Sequence, residues 1–150
     1  MKRMLLGVGN RLSHDDGVGP FVAQSLADSD WIAMDCGTAL ENASGIVSRE
    51  KPDLLIIVDA AVMGEEPGTT LRLPIQANDR MLASTHGLPL TFVMDRISAS
   101  AVKMILIGIE PLDLTFGEGL SPVVEEAAHR LIGILQTRHL EAIPEHGISQ

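Results

Sequence analysis

Apolar residues along this chain gather into short unbroken runs separated by glycine, proline and acidic residues. Residues 4–8 (MLLGV) form the first run and are stopped by Gly9 and Asn10. Residues 31–34 (WIAM) form the second, ending in Asp35-Cys36-Gly37-Thr38. Residues 54–58 (LLIIV) form the strongest and end at Asp59, and residues 103–108 (KMILIG) form another. Continuous apolar runs of this length predict strands covered on both faces. Residues 69–73 (TTLRL), which follow a loop over 64–68, alternate instead and predict an edge strand.

Between these runs the spacing turns helical. Pro20 opens a first helix with Phe21, Val22, Leu26 and Ala27 on its apolar side. Residues 41–50 predict a short helix weakened by Ser44-Gly45, and a further helix is expected from about Leu88, with Pro89 in its first turn. Ser121 and Pro122 open the last helix, whose inner face is Val124, Ala127, Ala128, Leu131, Ile132 and Leu135. Strands alternating with helices predict one α/β domain over residues 1–150, a three-layer sandwich with a mostly parallel twisted sheet and helices on both faces. Residues 139–150 are expected to form a loosely held tail. In such folds ligands bind beyond the C-terminal ends of the strands, where the connections switch sides.

Composition narrows the partners. Aromatic residues are only 3% of the 150, with no Tyr and one Trp, so the core is aliphatic and there is little material for stacking bases. The formal net charge of −9 opposes binding to nucleic acid or to an anionic membrane surface. Cys36 is the single cysteine, which excludes an internal disulfide and a CxxC zinc ribbon. The apolar run behind the positive head MKR is about five residues, against roughly 7–15 in a signal peptide. No run approaches the roughly 20 apolar residues of a membrane span. A cytoplasmic protein is expected.

Residues 5–20 (LLGVGNRLSHDDGVGP) carry the candidate chemistry. Gly7-x-Gly9 after a first strand, with Asp35 after the second, imitates a dinucleotide site. The third glycine of that motif is absent, because Leu12 stands there. Asp15 and Asp16 also occupy the helix N-terminus that a phosphate would need. The alternative is a cation site. Asp16 follows strand one and Asp59 closes strand three; a flavodoxin-like strand order would bring them together at the switch point, and His86 could add a third ligand. Each residue also has a plainer reading: an acid before a helix as an N-cap, Asp59 as an acceptor of backbone hydrogen bonds, His86 as a structural histidine. His129, His139 and His146 read as surface residues, His14 as a neighbour of the acids, and Cys36 as a small buried hydrophobe.

Taken in order, GVGNxxxxDDGVGP, DCGT, LLIIVDAAVMGxxPG and THGLPL resemble the hydrogenase maturation endopeptidases, which trim the C-terminus of the large subunit of [NiFe] hydrogenases. The resemblance runs from Leu5 to about Pro122. It implies an α/β sandwich, metal-binding residues Asp16, Asp59 and His86, and a role in processing for Asp35. It departs from the pattern at Cys36, where a glycine is common; the thiol could be an adventitious metal ligand or could point into the core. The partner implied is a precursor of a [NiFe]-hydrogenase large subunit. The metal implied is nickel shared with that precursor, with zinc or cadmium expected to substitute in vitro. Asp16 and Asp35 are then the candidate catalytic acids, one of them or another metal carboxylate serving as general base. A nucleotide-binding enzyme and a nickel chaperone that docks without cutting are the competing readings.

Overall fold

The computed structural model describes residues 1–74, 99–101 and 103–145. Among these, five strands form one sheet: β1 (Arg3–Gly7), β2 (Ile32–Asp35), β3 (Leu54–Ala60), β4 (Thr70–Leu73) and β5 (Lys103–Ile109), in the order β2-β1-β3-β5-β4. All neighbours run parallel except β4, which pairs antiparallel with β5 at the edge. The three described α-helices are α1 (Val18–Ser25), α2 (Ser44–Glu50) and α3 (Pro122–Thr137). The mostly parallel α/β sandwich expected from the sequence is the fold observed. The helix expected from Leu88 lies outside the described residues.

Alternation along the buried strands divides the core in two. Leu5, Ile56, Val58 and Ile107 face α1 and α3, meeting Val22, Val124, Ala128, Leu131 and Leu135. Met4, Leu6, Leu55, Ile57 and Leu106 face the other side, where Leu40, Ala43 and Val47 of α2 and its preceding turn cover them. β3 is buried at all seven positions. This explains its unbroken LLIIV, because no position of a doubly covered strand faces water.

Element ends moved by a few residues, each with a local cause. α1 begins at Val18, two residues before the expected start, because the 3-10 turn His14–Gly17 feeds straight into it; Pro20 then sits in the first turn, where its missing N–H has no partner to lose. α2 is shortened to Ser44–Glu50 by a 3-10 turn at Leu40–Ala43. β3 runs through Asp59 to Ala60, since β5 continues beside it and pairs Asp59 with Gly108. α3 opens behind Ser121 with Pro122 at its start and buries the six residues expected.

The first part of the expected tail is packed on the sheet. Leu140–Ala142 form a 3-10 turn and Ile143 is buried. The backbone N–H of Arg72 donates to the Pro144 carbonyl at 2.8 Å and its guanidinium donates to the Ile143 carbonyl at 3.0 Å, while Arg72 Nη2 pairs with Glu145 at 3.1 Å. Residues 140–145 are thus docked on the outer edge of β4, by an apolar anchor and polar contacts with residues some 70 positions away that local composition does not reveal. Residues 146–150 lie outside the described residues.

β1 and α1 approach unusually closely. A Cβ on Gly7 would collide with the carbonyl oxygen of Gly19, and one on Gly19 would meet the Val58 carbonyl at 2.5 Å. Backbone faces backbone there, so neither partner can yield by changing a rotamer. Gly7→Ala is expected to destabilise the fold by about 3 kcal/mol through overpacking, read as a lower denaturation midpoint in urea.

Candidate active site

The sheet order makes β1 and β3 neighbours, as the cation-site reading required. Gly7 pairs with Val58, so β1 gives way to its loop where β3 reaches Asp59. The turn carrying Asp15 and Asp16 contacts β3. Asp16 is 5% and Asp59 1% exposed. Two carboxylates are therefore buried at the C-terminal ends of adjacent parallel strands, where such sheets bind ligands.

The glycine loop shapes this acid and holds it in place. Gly9 has φ +153°, and a Cβ on it would strike the carbonyl oxygen of Asp16. Its own N–H donates to the Gly37 carbonyl at 2.8 Å. The N–H of Asn10 donates to Asp16 Oδ2 at 3.0 Å, and Asp16 N–H donates to the Ser13 carbonyl at 3.0 Å. In a dinucleotide loop these backbone donors would face phosphate; here the Asn10 N–H is taken by the Asp16 carboxylate and the Gly9 and Asp16 N–H groups by the Gly37 and Ser13 carbonyls, which is the physical objection to the nucleotide reading.

Asp15 has a different task from its neighbour. It is fully buried. Its Oδ2 accepts from the N–H groups of Leu112 and Asp113 at 2.9 and 2.8 Å and from Ser121 Oγ at 2.8 Å, while Oδ1 accepts from Ser121 N–H at 2.6 Å. This carboxylate ties the turn before α1 to the loop before α3. Glu110, 6% exposed, does similar work: its Oε1 accepts from Met63 N–H at 2.7 Å and Glu65 N–H at 3.1 Å, fixing the loop that leaves β3. Neither role is local. An acid directly after a buried strand is the one sequence signal Glu110 offered, the same signal that marked Asp59.

Asp35 lies on the other side of β1, paired in register with Gly7. The pleat directs it with Gly7 and Val58 toward α1, and directs Asp59 with Ile57 and Ala61 toward the opposite face. The backbones of Asp35 and Asp59 stand two strand spacings apart, roughly 10 Å. Asp35 Oδ2 pairs with Arg11, and Oδ1 accepts from Gly37 N–H at 2.9 Å. The Gln24 amide, with its oxygen toward Arg11, accepts from Nη1 at 3.0 Å. Arg11 thereby links the β2 end to α1.

Cys36 points into the core under α2, 5% exposed, with Sγ 3.9 Å from the Met34 carbonyl. Burial first, and the Asp35 charge second, push its thiol up to about 12. Of the two expectations for this residue, the core placement is the one observed. His14 donates through Nδ1 to the Gly119 carbonyl, 3.0 Å away, and His129 is exposed beside Glu125 and Phe21.

The donor set suits a borderline divalent metal: two buried carboxylates at neighbouring strand ends, with an imidazole expected from His86. His86 lies outside the described residues, and among the described residues no trio of His, Cys, Asp and Glu forms a complete metal cluster.

These features define an α/β protein with an acidic site at the strand ends, and solved endopeptidases share the whole architecture. The chain superposes on the endopeptidase HycI of Escherichia coli with a TM-score of 0.88 at 27% identity, covering 100% of this chain and 99% of that one. A [NiFe] hydrogenase maturation protease of Thermococcus kodakarensis superposes with a TM-score of 0.77 at 31% identity, over 91% and 90% of the two chains. In sequence, the hydrogenase 3 maturation protease of Escherichia coli K12 is 31% identical over 131 residues, 85% of this chain and 84% of that protein. The family model described as hydrogenase maturation protease matches residues 21–138. The chain belongs to the hydrogenase maturation proteases, and so to the hydrolases.

Two outcomes test the geometry. Asp15→Asn turns an amide N–H₂ toward backbone donors and strands at least one of them; a loss of about 3 kcal/mol in unfolding free energy is expected, with faster amide exchange at Leu112 and Asp113. Cys36, buried and with its thiol pushed up to about 12, is expected to resist thiol reagents at pH 8 in the native protein and to label fully in denaturant.

Proposed function

We propose that this protein is the endopeptidase that removes the C-terminal extension from a nickel-loaded [NiFe]-hydrogenase large-subunit precursor. The observation that carries this reading is the pair of buried carboxylates, Asp16 and Asp59, at adjacent strand ends in a chain of this family. Asp16 and Asp59 are the oxygen donors and His86 the imidazole donor to the metal that the precursor brings. Three donors leave coordination positions for the precursor's own ligands, so cleavage doubles as a check that the metal has been delivered. When bound, that metal supplies Lewis-acid polarisation of the scissile carbonyl.

The residues of this chain do the rest. Asp16, fixed by the Asn10 N–H and by its packing on Gly9, is held at the strand end beside Asp59 and is the better placed of the two candidate catalytic acids to take the proton of the attacking water. Asp35 points to the other face of the sheet and is tied to Arg11, which supports a role in holding the 35–37 turn and the Arg11 loop in position. A cytoplasmic location fits such a partner, and no described helix is long and apolar enough to cross a membrane.

Intact-mass analysis of a nickel-loaded precursor tests this reading. Wild-type protein is expected to release a C-terminal peptide. Asp16→Asn is expected to slow release by at least about 100-fold, the scale of lost acid–base catalysis, and Asp35→Asn by less. Nickel-free precursor is expected to stay intact. Its rapid cleavage would overturn the shared-metal scheme, and a stable complex with no mass loss would favour a chaperone that docks without cutting.

A further inference from the structure

The loop between β5 and α3 exposes what the core would ordinarily take. Leu112 is 61% and Phe116 84% exposed, with Leu114 and Leu12 partly so beside them. Phe116 is one of only three phenylalanines in the chain. The loop is nevertheless tightly held. The Asp15 carboxylate grips Leu112, Asp113 and Ser121. Asp15 N–H donates to the Asp113 carbonyl at 2.9 Å, His14 N–H to the Gly117 carbonyl at 2.8 Å, and Gly117 N–H to the Leu12 carbonyl at 2.8 Å. Thr115 closes the tip by donating both its N–H and its hydroxyl to Asp113 Oδ1, at 2.8 and 2.6 Å, which holds the Asp113 carboxyl below its usual range. Large apolar side chains displayed on a rigid, hydrogen-bonded loop are the signature of an interaction surface.

Asp113 and Glu118 lie within this loop. Its far end, Glu118 to Leu120, forms one wall of a cavity of about 360 Å³ whose other walls include Phe21 of α1 and Glu125 of α3. Arg11 and His14 also border that cavity; Arg11 is engaged by Asp35, His14 donates through Nδ1 to the Gly119 carbonyl, and Glu125 stands 3.7 Å from His129 Nε2 at the surface. An aromatic wall with two carboxylates suits a lysine or arginine side chain, whose stem is apolar and whose head is cationic.

We propose that this rim loop and the cavity beside it are the surface on which the large-subunit precursor docks, through a segment that presents apolar side chains next to a basic one. The proposal rests on the endopeptidase reading for the identity of the partner. It adjoins the candidate site through the chain: Asp15, which anchors the loop, is followed directly by Asp16.

The test is the affinity of the purified nickel-loaded precursor for this protein, read by biolayer interferometry in an Asp16→Asn background so that binding is seen without turnover. Leu112→Ser with Phe116→Ser is expected to weaken binding by at least about tenfold, and Glu118→Gln with Glu125→Gln by several-fold, the scale of an interface anchor and of its charged surroundings. Melting temperatures of both variants should stay close to that of the background protein, which a merely structural role for Phe116 would not allow. Unchanged affinity in the Leu112/Phe116 variant overturns the docking surface, as does failure of both the background and the wild-type protein to bind. Unchanged affinity in the Glu118/Glu125 variant overturns the basic partner. Binding that depends on the loop, with a precursor that the wild-type protein fails to cleave, upholds the surface and rejects the endopeptidase reading.

Discussion

The close contact between β1 and α1, with Gly7 lying against the carbonyl of Gly19, determines where everything at the C-terminal end of the sheet can stand. Because strand and helix meet backbone to backbone, the connection between them, residues 8–17, has no room to spread along the sheet. It folds back over the strand end, with Gly9 against the Asp16 carbonyl and Asn10 on the Asp16 carboxylate. β3 takes the place beside β1 and carries Asp59 to the same level. The acidic site is thus a by-product of how tightly one helix is laid on one strand.

Adjacent acids in this turn serve opposite ends. Asp15 satisfies its lone pairs with four donors from a distant loop, the usual condition for a carboxylate buried without a cation. Asp16 accepts from a backbone donor within its own turn and faces the strand ends with Asp59. The same division recurs at the ends of β3 and β5, where Glu110 fastens a loop and Asp59 is a proposed site residue. In both cases a scaffolding acid sits next to, or across the sheet from, a candidate functional one, so the reactive geometry is braced by groups of the same chemistry.

Legibility in the sequence followed the range of the interactions involved. LLIIV could be read as a doubly covered strand because burial on both faces acts on each residue separately. The last helix could be read from its start signal and its 3.6-residue spacing, both local. Asp16 and Asp59 became a pair only once a strand order was assumed, and β1 beside β3 is the order found. Asp15 was legible only as an acid before a helix: its partners are about a hundred residues away, and no pattern near it points to them. Asp35 could be read as the acid of a dinucleotide site or, through the resemblance, as a processing residue, but not for the pleat that turns it to the face of the sheet opposite Asp59. The docked tail escaped for the same reason as Asp15, since Ile143 and Glu145 answer to Arg72 across the fold.

That tail changes what the edge of the sheet can do. Arg72 of β4 bonds to Pro144 and forms a bridge with Glu145, so the last described residues lie along the strand as a short stub of extra pairing. An edge strand ordinarily offers its free N–H and C=O groups to any extended peptide, including another copy of itself. Here a proline carbonyl and an ion-paired arginine occupy the middle of β4. An enzyme whose proposed substrate ends in an extended, cleavable segment thereby blunts an edge on which such a segment could be captured unproductively as an added strand, far from the carboxylates at the strand ends.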